Sequence, residues 1–180
     1  LTIAGMMIVN NLGGPENYHQ LKHVPWHGWT YTDTIFPSFL WIVGVAITLS
    51  TAKRVERGDN KIALVGHTLR RAAIIFGIGL ALAFFGNWSL ETLRIPGVLQ
   101  RIGICYLVAG VLFLYTGMRG QMLATIGVLA AYWLLMFHYP VPGFGAGRLD
   151  VEGNFAHYID GLILSGHMYT PTKTSDPEGI

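Results

Sequence analysis

The sequence predicts an all-α integral membrane protein, a polytopic bundle of transmembrane helices, and two counts and one pattern carry that prediction. Of 180 residues, 52% are hydrophobic and only 12% are charged, about half the roughly 25% charged share of a soluble domain. Mean hydropathy is +0.44. The apolar residues stand in long uncharged blocks, not at the period of 2 or 3.6 that marks a half-buried strand or helix. This composition excludes disorder, and a net charge of +2 supplies no basic field for nucleic acid. The single cysteine, Cys105, cannot close an internal disulfide, and no zinc-type Cys/His spacing occurs. Inside an apolar span it reads as a packing residue, not a nucleophile.

Along the chain, residues 1–12 read as the end of a first span, closed by Asn10, Asn11 and the turn-forming Gly13-Gly14-Pro15. Residues 34–52, 72–90 and 102–118 carry no charge over about the length that crosses a bilayer core, and 121–137 forms a further such block. About five spans are expected. A buried helix of a large soluble protein explains one such run, but not four in sequence joined by short polar loops. The chain begins at Leu1 inside an apolar run, without the basic region and small-residue cleavage site of a signal peptide. It stops at Asp176-Pro177-Glu178-Gly179-Ile180. Both ends are therefore expected to be cut, with 1–180 the N-terminal part of a larger multi-pass domain.

Charge gives the orientation. Lys53, Arg54, Arg57, Lys61, Arg70 and Arg71 fall between the second and third spans, and Arg119 between the fourth and fifth. The positive-inside rule places both connections in the cytoplasm. The stretches 19–32, 91–96 and 139–180 then face the other side.

The first outward loop is dense in polar and aromatic groups, including Lys22, His23, Trp26, Trp29 and Asp33. Trp and Tyr at such a boundary read as an interfacial belt. His19, His23 and His27 lie four apart, which on a helix would stack three imidazoles on one face. Pro25 interrupts that helix and no carboxylate cluster accompanies them, so no metal site is expected. A single histidine acting as base or nucleophile is better supported, since imidazole chemistry operates near neutral pH. Asp33, at the mouth of the second span, reads either as the group orienting that histidine or as a helix N-cap. Asn10 reads as a helix cap, a helix–helix hydrogen bond or an oxyanion donor; spacing does not choose.

A second cluster is Arg94-Ile95-Pro96-Gly97-Val98-Leu99-Gln100-Arg101. Pro96 suits the first turn of a helix, whose amides favour anions. Arg94 and Arg101 are seven apart, close to two turns, and are expected on a similar face. Gln100 and Arg101 sit just inside the apolar boundary, where polar groups are functional, paired or snorkelling to headgroups.

At these residues the sequence resembles a known family. Val9-Asn10, Lys22-His23-x-x-Trp26-x-Gly28-x-Thr30-x-x-Asp33-x-x-Phe36-Pro37, the string from Arg94 to Gly103, Pro140-Val141-Pro142-Gly143 and Asp176-Pro177-Glu178-Gly179 appear in order. Together they resemble the catalytic region of heparan-alpha-glucosaminide N-acetyltransferases and their bacterial relatives. The resemblance implies a multi-pass acyltransferase domain that moves acetyl from cytosolic acetyl-CoA to an amino sugar across the membrane. The histidine of its Lys-His-x-x-Trp motif is His23, and its catalytic neighbour is Asn10; Asp33 completes the expected catalytic set. His19 and His27 do not fall on the family's histidine. Lys22, Arg94, Gln100 and Arg101 are expected to hold substrate.

The short loops point to a bacterial inner membrane with the His23 loop in the periplasm. Expected partners are an amino-sugar acceptor and the lipid bilayer, with no nucleic acid; a homo-oligomer stays open. A second reading is a multi-pass transporter or permease for a small polar solute. Gly77 and Gly79 interrupt the third span as its broken helices would, but no matching interruption in an inverted repeat is visible.

Overall fold

The computed structural model describes residues 2–13, 18–88, 93–164 and 167–168. Within them the chain forms α1 (Thr2–Asn10), α2 (Tyr31–Glu56), α3 (Lys61–Asn87), α4 (Val98–Tyr115), α5 (Met118–His138) and α6 (Phe155–Ile163). One 3-10 turn, His19–Leu21, lies in the loop after α1. Among the described residues there is no strand, only an isolated bridge between Val141 and Gly145. α2, α3, α4 and α5 are each long and apolar enough to cross a membrane, giving the expected all-α polytopic bundle. α1 covers nine residues, about 14 Å of rise and half a bilayer core.

The helices overrun the uncharged blocks. α2 continues to Glu56, with Lys53 and Arg54 in its last turn, and α3 already begins at Lys61. The connection shrinks to residues 57–60, and Arg70 and Arg71 lie well inside α3. The expectation of six cations in one polar loop is corrected accordingly. Hydropathy marks the part of a helix that lies in lipid, while backbone pairing continues into the headgroups, where Lys and Arg heads are solvated. Cations in the last turn of α2 also complement its C-terminal dipole. Asn60 caps α3, its Oδ1 accepting the Ile62 N–H at 2.9 Å. Arg119 likewise lies within α5. The stretch after α5, expected as an outward loop, contains α6, which Asn154 caps by accepting the His157 N–H at 2.8 Å.

α3 and α4 form the principal contact of the bundle; α4 also packs on α2, and α1 on α2. Glycines give the α3–α4 register. A Cβ at Gly79 would lie 2.9 Å from Leu99 Cβ, one at Gly103 3.0 Å from the Ala72 carbonyl oxygen, and one at Gly110 2.6 Å from Thr68 Cγ2. As numbers rise along α4 they fall along α3, so the pair is antiparallel. Close backbone approach through small residues is what drives helix association in lipid. Thr68, buried at this seam, returns its hydroxyl to the Leu64 carbonyl at 2.9 Å. Cys105 is exposed, contrary to the packing role read from sequence. Two residues beyond Gly103, it is turned about 200° from the α3 face.

α5 is the counter-example. It buries no residue, and Leu123, Val128 and Leu129 are each more than 60% exposed. In water such a face is a liability; against lipid tails it costs nothing.

Candidate functional site

The loop between α1 and α2 is tied to α2 before the helix begins. Gln20 holds it twice: its Oε1 accepts the Tyr31 N–H at 3.0 Å, and its carbonyl accepts the Thr32 hydroxyl at 3.2 Å. The Thr30 hydroxyl lies 2.8 Å from both the Lys22 carbonyl and Asp33 Oδ2, one proton shared between two acceptors. Thr30 and Thr32 are buried. These bonds engage groups that a helix N-terminus otherwise leaves unpaired. They also fix the backbone of Lys22, immediately before His23, against the first turn of α2.

His23 Nδ1 lies 2.7 Å from Asp33 Oδ1. Asp33 Oδ2 meanwhile accepts the Thr30 N–H at 3.0 Å. Thr30 is the N-cap of α2 and Asp33 its third residue, the arrangement of a capping box. Asp33 thus meets His23 with one oxygen and closes the capping box with the other; it is not the N-cap read from sequence, because Thr30 takes that position. An ionised carboxylate only accepts, so Nδ1–H is the donor in this contact, and in the neutral form of the ring Nε2 is the nitrogen that presents a lone pair. The His23 side chain is 73% exposed and that of Asp33 27%. The anchor is sheltered and the basic edge is open.

The other histidines are arranged differently. His19 belongs to the 3-10 turn, while His23 and His27 follow in irregular backbone, so the three do not stack on one helix. Among the described residues no group of three His, Cys, Asp or Glu could hold a metal ion. Trp26, read as part of an interfacial belt, has a specific partner: its Nε1 donates to the Leu149 carbonyl at 2.8 Å. That bond ties the His23 loop to the stretch after α5.

Asn10 is the last residue of α1 and is exposed. α1 packs on the start of α2 at Gly5, where a Cβ would lie 2.8 Å from the Tyr31 hydroxyl oxygen. Asn10 and His23 thus lie on segments flanking the same end of α2, without a hydrogen bond between them.

The arginine string divides in two. α4 begins at Val98 with Gly97 as its N-cap, in extended conformation at φ −79° and ψ 166°. Arg94 therefore precedes the helix and Arg101 lies within it, and their seven-residue spacing does not place them on one helical face. Pro96 likewise stands before the cap, not in the first turn.

Gln100 is only 2% exposed, and its Nε2 has no hydrogen-bond partner among the described residues. It sits in a glycine cradle that sequence reasoning missed. A Cβ at Gly79 would lie 2.6 Å from Gln100 Oε1, and one at Gly97 would overlap the same atom. Leaving such an amide group unpaired costs about 1–3 kcal/mol.

A second strap was also missed. Ile95 N–H donates to the His167 carbonyl at 3.1 Å, and His167 Nδ1 donates to the Leu93 carbonyl at 3.0 Å. No motif in the sequence singles out His167. The Asp176-Pro177-Glu178-Gly179 motif, Gly14, Pro15 and residues 91–92 lie outside the described residues.

The heparan-alpha-glucosaminide N-acetyltransferase catalytic family matches residues 1–147, a range that holds Asn10, His23, Asp33 and Gln100. The heparan-alpha-glucosaminide N-acetyltransferases of Mus musculus and Homo sapiens are 33% and 32% identical to the chain over 223 residues. Each alignment covers 97% of this chain, and 34% and 33% of the respective relatives. The chain thus spans about a third of the length of these curated relatives. With the histidine motif, its carboxylate and the arginine string all inside the matched range, the chain belongs to the heparan-alpha-glucosaminide N-acetyltransferase catalytic family.

Proposed function

We propose that the whole protein is a membrane acetyltransferase carrying acetyl from cytosolic acetyl-CoA to the amine of a glucosamine-type sugar on the outer side. The observation that carries this reading is the 2.7 Å contact of His23 Nδ1 with Asp33, in a chain of this family. It leaves Nε2 as an exposed base. In a direct route the acceptor nitrogen attacks the thioester carbonyl carbon, Nε2 takes a proton from that nitrogen, and the carbon–sulfur bond breaks to release CoA thiolate. In a two-step route Nε2 itself attacks and CoA leaves, and the amine then displaces the imidazole from the acetyl carbon. Asp33 stabilises the positive charge that the ring carries in either route.

Asn10, exposed at the end of α1, is assigned as donor to the developing oxyanion, a contribution of roughly 3 kcal/mol. Lys22, Arg94, Gln100 and Arg101 are assigned to hold the two substrates. The amide carbonyls in the CoA arm are acceptors of the kind that the buried Gln100 Nε2 lacks. The cations at the α2–α3 turn and Arg119 support cytoplasmic ends for those helices, and we set the His23 loop on the opposite side, in the periplasm of a bacterial inner membrane. The matched region takes 223 aligned positions against 180 residues here. We read the short connections of this chain as suiting a free or cell-wall glucosamine better than a long polysaccharide.

The test is acetyl transfer from labelled acetyl-CoA to glucosamine by membranes carrying the full-length protein. His23→Ala is expected to lower the rate about 10²- to 10⁴-fold, while His19→Ala and His27→Ala stay near the wild type. Labelled acetyl trapped on His23 selects the two-step route. A His23→Ala variant that turns over normally removes the mechanism.

A further inference from the structure

α3 carries Lys61, Arg70 and Arg71 and no carboxylate. Its uncharged part, residues 72–87, rises about 24 Å, short of the roughly 30 Å of a bilayer core. Arg70 and Arg71 therefore stand at the polar boundary on the side of the α2–α3 turn, about two and a half turns inside the helix. Their surroundings differ. Arg71 reaches the Tyr106 hydroxyl at 3.5 Å, as Arg54 of α2 reaches Asp59 at 3.6 Å. Arg70 is exposed and makes no hydrogen bond or ion pair among the described residues. The charges of Arg71, Arg54 and Arg70 all act on His67, one turn before Arg70, so the field at this boundary is positive.

From this boundary an open groove of about 260 Å³ runs along the α3–α4 seam, below the roughly 300–1,000 Å³ of small-molecule sites. Leu69, Ala73, Phe76 and Gly77 form its α3 wall, and Ile104 and Leu107 its α4 wall. No polar side chain lines it. Because the two helices are antiparallel, Leu69 and Leu107 mark its boundary end, and Gly77 and Ile104 the end toward the bilayer centre. Arg70, Ala73 and Gly77 stand at i, i+3 and i+7, on one face of α3. A cation without a partner thus heads an apolar channel.

We infer that this seam holds one anionic phospholipid of the adjoining leaflet, its phosphate on Arg70 and one acyl chain in the groove. A guanidinium pairs with a phosphate through two parallel hydrogen bonds. The Arg70 stem can run toward the headgroups while the chain passes the other way, over Ala73 and Gly77. His67, exposed one turn nearer the headgroups, adds an imidazole donor. A phospholipid brings anion and chain in one molecule, in the order in which α3 presents cation and groove. A further helix laid there would cover the apolar walls but leave Arg70 unmatched unless it also carried a carboxylate. None of these residues belongs to the acetyl-transfer machinery proposed above.

Binding is measured by native mass spectrometry of the full-length protein in detergent, titrated with short-chain phosphatidylglycerol, phosphatidylcholine or glycerol phosphate, the last being a headgroup without chains. The wild type is expected to bind one phosphatidylglycerol about fivefold or more tightly than phosphatidylcholine, the share of one arginine at a charged surface. Glycerol phosphate is expected not to compete. Arg70→Gln brings phosphatidylglycerol down to the level of phosphatidylcholine, whereas Arg119→Gln, at the same end of the bundle, keeps the preference. A Cβ at Gly77 would meet nothing within 4 Å, so Gly77→Leu fills the groove without a clash and weakens both phospholipids. A preference that survives Arg70→Gln, or falls equally in Arg119→Gln, overturns the site in favour of a diffuse field. Glycerol phosphate competing as strongly as the lipid makes it a free-phosphate site and removes the chain from the groove, as does lipid binding unchanged in Gly77→Leu. No bound phospholipid at all overturns the inference and leaves the groove to another helix of the protein.

Discussion

The His23 loop and the α3–α4 seam are held by opposite means. From Gln20 to Asp33 the chain depends on hydrogen bonds to the first turn of α2, with His23 largely open to its surroundings. Between α3 and α4 it depends on contact, the backbones brought together at Gly79, Gly103 and Gly110, with the buried Gln100 Nε2 unpaired among the described residues. A strapped loop fixes one reactive group while leaving its far edge free. A close-packed seam fixes everything it touches. The two regions should therefore answer differently to substitution, the first in activity and the second in stability.

The largest effect is expected at Asp33. Its carboxylate gives one oxygen to His23 and the other to Thr30. Asp33→Asn keeps the shape but offers a single acceptor oxygen, so it cannot serve both. Its NH₂ facing His23 would favour the tautomer with the proton on Nε2, which cannot act as a base. A loss of about 10³- to 10⁴-fold in acetyl transfer is expected, by analogy with the histidine–aspartate pair of hydrolytic triads. Loss of the cap adds only about 0.5–2 kcal/mol of destabilisation. Steady-state kinetics beside a thermal melt in detergent separates the two. Near-normal kcat in a folded Asp33→Asn protein would reduce Asp33 to a capping residue.

This pair shows what was legible in sequence and what was not. Thr30-x-x-Asp33 before an apolar run is a local motif with a local structure, so residue types and spacing were enough to place Asp33 at the helix mouth. The spans were legible for a similar reason, since lipid imposes one long uncharged block per crossing. Helix ends were not, because hydrogen bonding does not stop where hydropathy does; Arg70 and Arg71 lie in α3 for that reason. Gln20 and His167 were missed because their partners, Tyr31 and Leu93, become neighbours only through tertiary structure. Arg94 and Arg101 were misplaced because a helical spacing was applied across the extended Gly97.

The next effect tests the seam against the open helix. At Gly103 a Cβ would lie 3.0 Å from the Ala72 carbonyl oxygen and 3.3 Å from the Phe76 nitrogen, both backbone atoms, whereas at Gly127 of α5 nothing lies within 4 Å. Gly103→Leu must push the helices apart, at about 1–3 kcal/mol. Gly127→Ala gains up to about 1 kcal/mol of helix propensity. Thermal unfolding of the full-length protein in detergent ranks the two. A Gly127→Ala variant destabilised like Gly103→Leu would mean that another part of the protein closes over α5 as tightly as α3 closes over α4.

The smallest effect on the fold, and the sharpest division of roles, is expected at Gln100. Its Nε2 contributes no hydrogen bond within the described residues, so Gln100→Met, of similar length and volume, removes an unpaired buried group while keeping the packing against Gly79. Truncating a satisfied amide would destabilise, but here stability is expected to hold or to rise by up to about 1 kcal/mol. If Nε2 is paired only when acetyl-CoA is present, the same substitution removes one hydrogen bond from the complex. KM for acetyl-CoA then rises about two- to tenfold, while that for the sugar is unchanged. The two readouts move in opposite senses, which a purely structural role does not produce. A Gln100→Met protein that melts earlier and keeps its KM would make the amide part of the seam's packing and would move the acetyl-CoA contacts elsewhere.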